Sequence, residues 1–140
     1  MTAVLVSVGL PGAHVDIPDT LELTTPLPGL PGHVRYSLTP LDEIGVLFAL
    51  RSHDEPPVRL FVVPPREFFA TYTPVIPAAV RESLDLTEDD TVLLTVVSPP
   101  QGDEPATANL LAPIVINART GRAVQTVLDD SGWPLRAPLG

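Results

Sequence analysis

Thr107-Ala108-Asn109-Leu110-Leu111-Ala112-Pro113-Ile114-Val115-Ile116-Asn117 is an uncharged, mostly apolar run with a proline inside it, followed by the basic turn Arg119-Thr120-Gly121-Arg122. A proline fixes φ and removes one ladder donor, so an unbroken central strand across 107–117 is disfavoured, whereas an edge, a bulge or a sharp bend is permitted. Two short strands meeting at Pro113 are therefore predicted. The amides of Asn109 and Asn117 are expected to satisfy backbone groups around that bend.

The same proline logic governs the whole chain. Eighteen prolines are spread along 140 residues, and each would cost about 3 kcal/mol in a helix interior. Long helices are excluded and short strands joined by turns remain. Val4 to Gly9 and Ala13 to Ile17 read as a hairpin around Pro11-Gly12, and Thr20 to Thr25 alternates before the rigid loop Pro26 to Gly32. Val34 to Leu38 alternates apolar and polar residues, and Val46 to Leu50 and Val58 to Val63 are β-rich runs predicted to pair as the centre of the sheet. Arg66 to Phe69 predicts one helical turn, with Phe68, Phe69 and Tyr72 packing as aromatic core. One helix is expected, with Pro77 at its first position and Ala78 to Leu84 following. Thr91 to Val97 is the most strand-like run, and Ala123 to Leu128 is a further strand. The expectation is a single all-β domain over 1–140: a small β-barrel-like fold of short bent strands with one short helix, or a strongly bent sandwich.

Chemistry is harder to find. The chain has no cysteine, which excludes disulfides, thiolate metal sites and cysteine nucleophiles, and fits a reducing, cytoplasmic setting. His14, His33 and His53 lie in three segments without metal-ligand spacing, so neither a metal nor a cofactor is expected. No serine stands in a nucleophile elbow. A pocket enzyme, a hydrolase or isomerase, would have to use His53 with Asp54 or Glu55, and that is the alternative reading. No stretch approaches the roughly 20 apolar residues of a membrane helix. Seventeen acids against eight basic residues give a formal charge of −9, which disfavours direct nucleic-acid binding and favours a basic protein partner.

The acid pairs Asp42-Glu43, Asp54-Glu55, Asp89-Asp90, Asp103-Glu104 and Asp129-Asp130 all fall in predicted loops. An acidic rim of this kind speeds encounter with a basic partner. Asp42, Glu43, Asp103 and Glu104 are the first candidates for partner contact, and Asn109, Leu110 and Leu111 beside Pro113 are the second.

Residues 107–117, with Arg122, Gln125 and Leu128 after them, resemble the signature of the FliW family of flagellar assembly factors. Pro26 to Leu30, Pro40 to Glu43, Leu50 with Ser52 and Asp54, Phe61 to Val63 with Pro65, Phe68-Phe69 with Tyr72, and Pro134 to Arg136 with Pro138-Leu139 follow in the family's order. Leu30 stands where an aromatic is usual, and the loop Arg51 to Pro57 is more basic and proline-rich than the pattern. The resemblance implies a non-catalytic cytoplasmic protein with a small β-barrel-like fold that binds flagellin and the RNA-binding regulator CsrA. By antagonising CsrA allosterically it would relieve repression of flagellin translation, without touching RNA itself.

Overall fold

The computed structural model describes residues 3–7, 14–27, 30, 32–54, 57–87, 90–128 and 132–139. The turn expected at Pro11-Gly12 lies outside them, as do parts of the proline loop (28, 29 and 31) and the acids Glu55, Asp89, Asp129 and Asp130.

Strict alternation sets the strands that face inward. In β3 (Thr20–Leu23) Leu21 and Leu23 are buried while Thr20 and Glu22 are exposed. In β4 (Arg35–Pro40) Tyr36 and Leu38 are buried between the exposed Arg35 and Thr39. β5 (Phe48–Ser52), β6 (Arg59–Val63) and β7 (Thr91–Ser98) continue an antiparallel meander from β3. Such a sheet leaves two raw edges unless it closes, and β9 (Ile114–Asn117) with β10 (Arg122–Gln125) closes it. β9 pairs antiparallel with β7, β10 pairs antiparallel with β9, and β10 runs parallel to β3 through Arg122↔Glu22 and Ala123↔Leu23. The result is a closed seven-stranded barrel, β7-β6-β5-β4-β3-β10-β9 and back to β7. The runs 46–50 and 58–63, expected at the centre of a sheet, instead form one wall of this ring.

The interior is filled by alternate residues of every strand, among them Leu21, Tyr36, Phe48, Leu50, Leu94 and Ile116. The hairpin of β1 (Ala3–Ser7) and β2 (His14–Pro18) is a separate sheet whose Val4, Val6 and Ile17 join the same core. A smaller core covers the outside of β7. There Tyr72 packs edge-on to Trp133, with ring centroids 4.7 Å apart, beside Ala108, Leu110 and Ala137. Ala108 belongs to β8 (Thr107–Ala108), and Ala137 to β11 (Ala137–Pro138), a two-residue strand that the sequence pattern did not suggest. Tyr72 and Phe69 pack as expected of the aromatic group, whereas Phe68 is exposed.

The bend at Pro113 is a bulge with a countable size. β8 and β9 lie along the same edge of β7, and between their register points Thr95 and Val96 of β7 face residues 109–113. Three extra residues are thus thrown out of the ladder, and Pro113 sits at the point where pairing resumes. Asn109 Oδ1 accepts from the backbone N–H of Leu111 at 3.1 Å and of Ala112 at 3.0 Å. From the other side Gln125 Nε2 donates to the Ala112 carbonyl, Thr126 N–H to Pro113 and Leu128 N–H to Leu111. All four residues of β9 are buried, and on the face that does not point into the barrel Asn117 meets the carbonyl of the buried Leu84 at the helix end.

Helix α1 (Ala78–Ser83) begins after Pro77, which is its N-cap and not its first residue. It ends in a Schellman arrangement: Leu86 N–H reaches the Arg81 carbonyl, Asp85 N–H reaches Glu82, and Asp85 takes the left-handed φ of 52° usually filled by glycine. Asn117, wholly buried, donates Nδ2 to the Leu84 carbonyl at 2.8 Å and accepts Arg119 N–H at 2.9 Å. Arg119 Nε in turn bonds Asp90 at 2.7 Å. One side chain of the closing strand thereby fastens the helix end and the β9–β10 turn.

That turn needs its glycine. Gly121 has φ 77°, and a Cβ there would stand 2.7 Å from the Thr20 carbonyl oxygen. Asn117→Ala should lower the free energy of unfolding by about 1–3 kcal/mol, since it orphans a buried carbonyl, and Gly121→Ala by at least about 1 kcal/mol from the left-handed backbone alone. Urea denaturation measures both. Hydrogen bonds from Thr87 Oγ1 and Arg119 Nε hold the Asp90 carboxyl below the usual carboxylate range. A depressed folded value contributes stability above the unfolded carboxylate pKa and loses it as pH falls through the folded one. The Asp90 carboxyl resonance should therefore titrate below that of a free aspartate, and move up in Thr87→Val.

Candidate functional site

Strand direction decides which loops share a barrel end. With β7 running from Thr91 to Ser98 and its neighbours alternating, the loop after β4, the end of β6, the start of β7 and the turn 118–121 lie at one end. The loop after β3, the loop after β5, the β7–β8 hairpin and the bulge lie at the other. Asp42 and Glu43 are therefore at the first end and Asp103 and Glu104 at the second. A single rim holding all four does not form, because sequence places acids in loops without saying which way each strand runs.

The two pairs also differ in setting. Asp103 and Glu104 are exposed at the tip of the β7–β8 hairpin, which the Gln101↔Glu104 bridge closes. Asp42 is half-buried and its carboxylate accepts from Gly45 N–H at 3.0 Å and Val46 N–H at 3.2 Å, which shapes the 41–47 loop. Leu41 N–H to the Leu47 carbonyl closes the loop at its base, and Gly45 supplies the φ of 80°. Glu43 and Ile44 are left pointing outward, Ile44 being 65% exposed.

Beside this loop lies a groove of about 430 Å³ between β4 and the β1–β2 hairpin. Leu5, Leu38 and Ile44 give it an apolar floor, and Asp19, Asp42 and Glu43 an acidic border. Leu5 and Ile44 are large apolar side chains held in solvent, a combination that marks a contact surface more often than a fold requirement. Asp19, Leu5 and Ile44 were not among the sequence candidates. The available signals were small: an isoleucine directly after an acid pair, and a leucine at the outward position of β1.

The second candidate group is built into the scaffold. Leu110 is buried at 3% exposure and its carbonyl accepts the Tyr72 hydroxyl at 2.7 Å, while Asn109 spends its amide oxygen inside the bulge. Burial pushes the Tyr72 phenol upward, so it stays a donor to that carbonyl. Leu111 alone of the three side chains is apolar and partly exposed.

His53 is exposed on the outer wall, with Nε2 2.7 Å from Ser37 Oγ. His33 Nδ1 meets Ser52 Oγ at 2.9 Å, and that same oxygen accepts the Val58 N–H, so the buried Ser52 is a backbone tie. Among the described residues no three histidine, aspartate or glutamate side chains gather closely enough to hold a metal ion.

A family model described as FliW protein matches residues 11–139. The flagellar assembly factor FliW of Bacillus subtilis is 33% identical over 116 residues, covering 80% of this chain and 81% of that one. The FliW of Heliobacterium modesticaldum is 31% identical over 128 residues, covering 89% and 84%. A crystal structure of the flagellar assembly factor FliW superposes with a TM-score of 0.79 over 96% of each chain at 23% identity, which establishes the shared fold. The matched span holds the meander, the bulge and both closing strands, and on sequence and architecture together this chain belongs to the FliW family.

Proposed function

We propose that the chain is a flagellar assembly factor that works by binding and not by catalysis, with flagellin and CsrA as its two protein partners in the cytoplasm. Held by flagellin, it is unavailable; once export removes flagellin, it engages CsrA and relieves repression of flagellin translation by an allosteric effect on CsrA. It acts as a chaperone for one partner and an antagonist of the other, without contacting RNA or membrane. Family membership across residues 11–139 carries this reading.

Within it, the groove bordered by Asp19, Asp42 and Glu43 is the better seat for CsrA, because an RNA-binding protein presents basic side chains and the groove offers acids around an apolar floor. Asp103 and Glu104, at the other end, carry charge without an apolar floor in the same measure. Leu111, flanked by Asn109 and Leu110, is the second contact region.

Calorimetric titration with purified CsrA and, separately, flagellin tests the reading; absence of binding to both sinks it. Glu43→Lys combined with Asp42→Asn, which keeps the oxygen that Gly45 and Val46 need, should weaken CsrA binding by about tenfold and flatten its salt dependence. Asp103→Lys with Glu104→Lys should change CsrA affinity less than about threefold, the range of rim charges worth under 1 kcal/mol. The reverse order would move the contact to the other end.

A further inference from the structure

The outer wall of β4–β6 carries a charge opposite to that of the molecule. Arg51 and Arg59 are direct cross-strand partners between β5 and β6, both exposed. Like charges placed opposite one another on a strand pair oppose folding. In a chain with 17 acids a counter-charge is easily supplied, yet the ion pairs among the described residues join Arg35 to Glu22 and Arg119 to Asp85 and Asp90, and none involves Arg51 or Arg59.

The Arg59 guanidinium also has a seat. Arg59 lies over the Phe61 ring at 5.2 Å from its centroid, a contact that favours one placement of the exposed guanidinium. Together with Leu41, Ala49 and Pro57 the two arginines line a cleft of about 370 Å³. His53 stands on the same wall through its contact with Ser37. Two exposed arginines in direct register beside a short apolar strip complement carboxylates spaced along an extended chain.

We propose that this wall is a docking surface for an acidic, apolar-containing segment of a protein partner, whose carboxylates are held between Arg51 and Arg59. A nucleic acid is the poorer occupant. The site offers two unpaired arginines inside a strongly negative field, too few cations to neutralise a run of phosphates. The surface adjoins the acidic groove at Thr39 and the 41–47 loop, and differs from it in the charge it offers.

The decisive property is that binding and stability should move in opposite directions. Arg51→Glu replaces a repulsive cross-strand pair by an attractive one, so the variant should melt at or above the wild-type temperature. The probe is an acetylated eight-residue peptide of alternating glutamate and leucine, titrated calorimetrically into the full chain. Wild type should bind it, more weakly as salt rises, and Arg51→Glu and Arg59→Glu should each lose at least about tenfold in affinity. Arg51→Lys, which keeps the charge but not the fork, should lose less. No binding by the wild type, equal affinity in Arg51→Glu, or equal binding of a lysine-for-glutamate peptide would overturn the proposal. Tighter binding of polyuridylate than of the peptide, with the same dependence on both arginines, would overturn the assignment to a protein partner.

Discussion

The closed barrel depends on the pairing of β9 with β7. The meander β3 to β7 is built from local antiparallel steps, but as an open sheet it would expose two edges and leave its inner face facing nothing. Register along Thr91↔Asn117 to Leu94↔Ile114 converts it into a barrel with one interior. The constraint explains why β9 is buried on both faces: it points Ile114 and Ile116 inward, while Asn117 on the other face is used to hold the helix end. It also explains the bulge. β8 and β9 must both follow β7, so the three surplus residues have to leave the ladder, and Asn109 and Gln125 supply the hydrogen bonds their backbone would otherwise lack.

The most recognisable part of the sequence is thus an architectural part. Residues 107–117 identify the family because closing this barrel demands an unusual order of residues: a short strand, an asparagine-held loop, a proline, then four buried positions. The acidic groove beside the 41–47 loop and the arginine pair of β5 and β6 lie outside this stretch. The two carry opposite charge and adjoin one another at Thr39, which lines both.

Much of this was legible in the residues. Pro113 predicted a break, Val34 to Leu38 alternates as its burial does, Thr91 to Val97 is a strand as its composition suggested, and Asn109 satisfies backbone groups in the bend as expected; Asn117, expected to do the same there, instead holds the Leu84 carbonyl and the Arg119 N–H. What sequence could not supply was relation across the chain. Asp42 and Asp103 look alike as loop acids, and only strand direction sends them to opposite ends. Arg51 and Arg59 look unremarkable eight positions apart, and only the β5–β6 register makes them face each other. β11 was invisible because two residues in a proline-rich tail carry no periodicity; their pairing with β8 is decided by the tertiary structure.

Native-state hydrogen exchange tests the central role of the closing strand most directly. If the barrel depends on this seam, the hydrogen-bonded amides of Ile114 to Asn117 should exchange only with global unfolding, at the same free energy as the slowest amides of β4 and β5 on the opposite wall. Exchange of 114–117 through a local opening several kcal/mol below the global value, with β4 and β5 still protected, would contradict it.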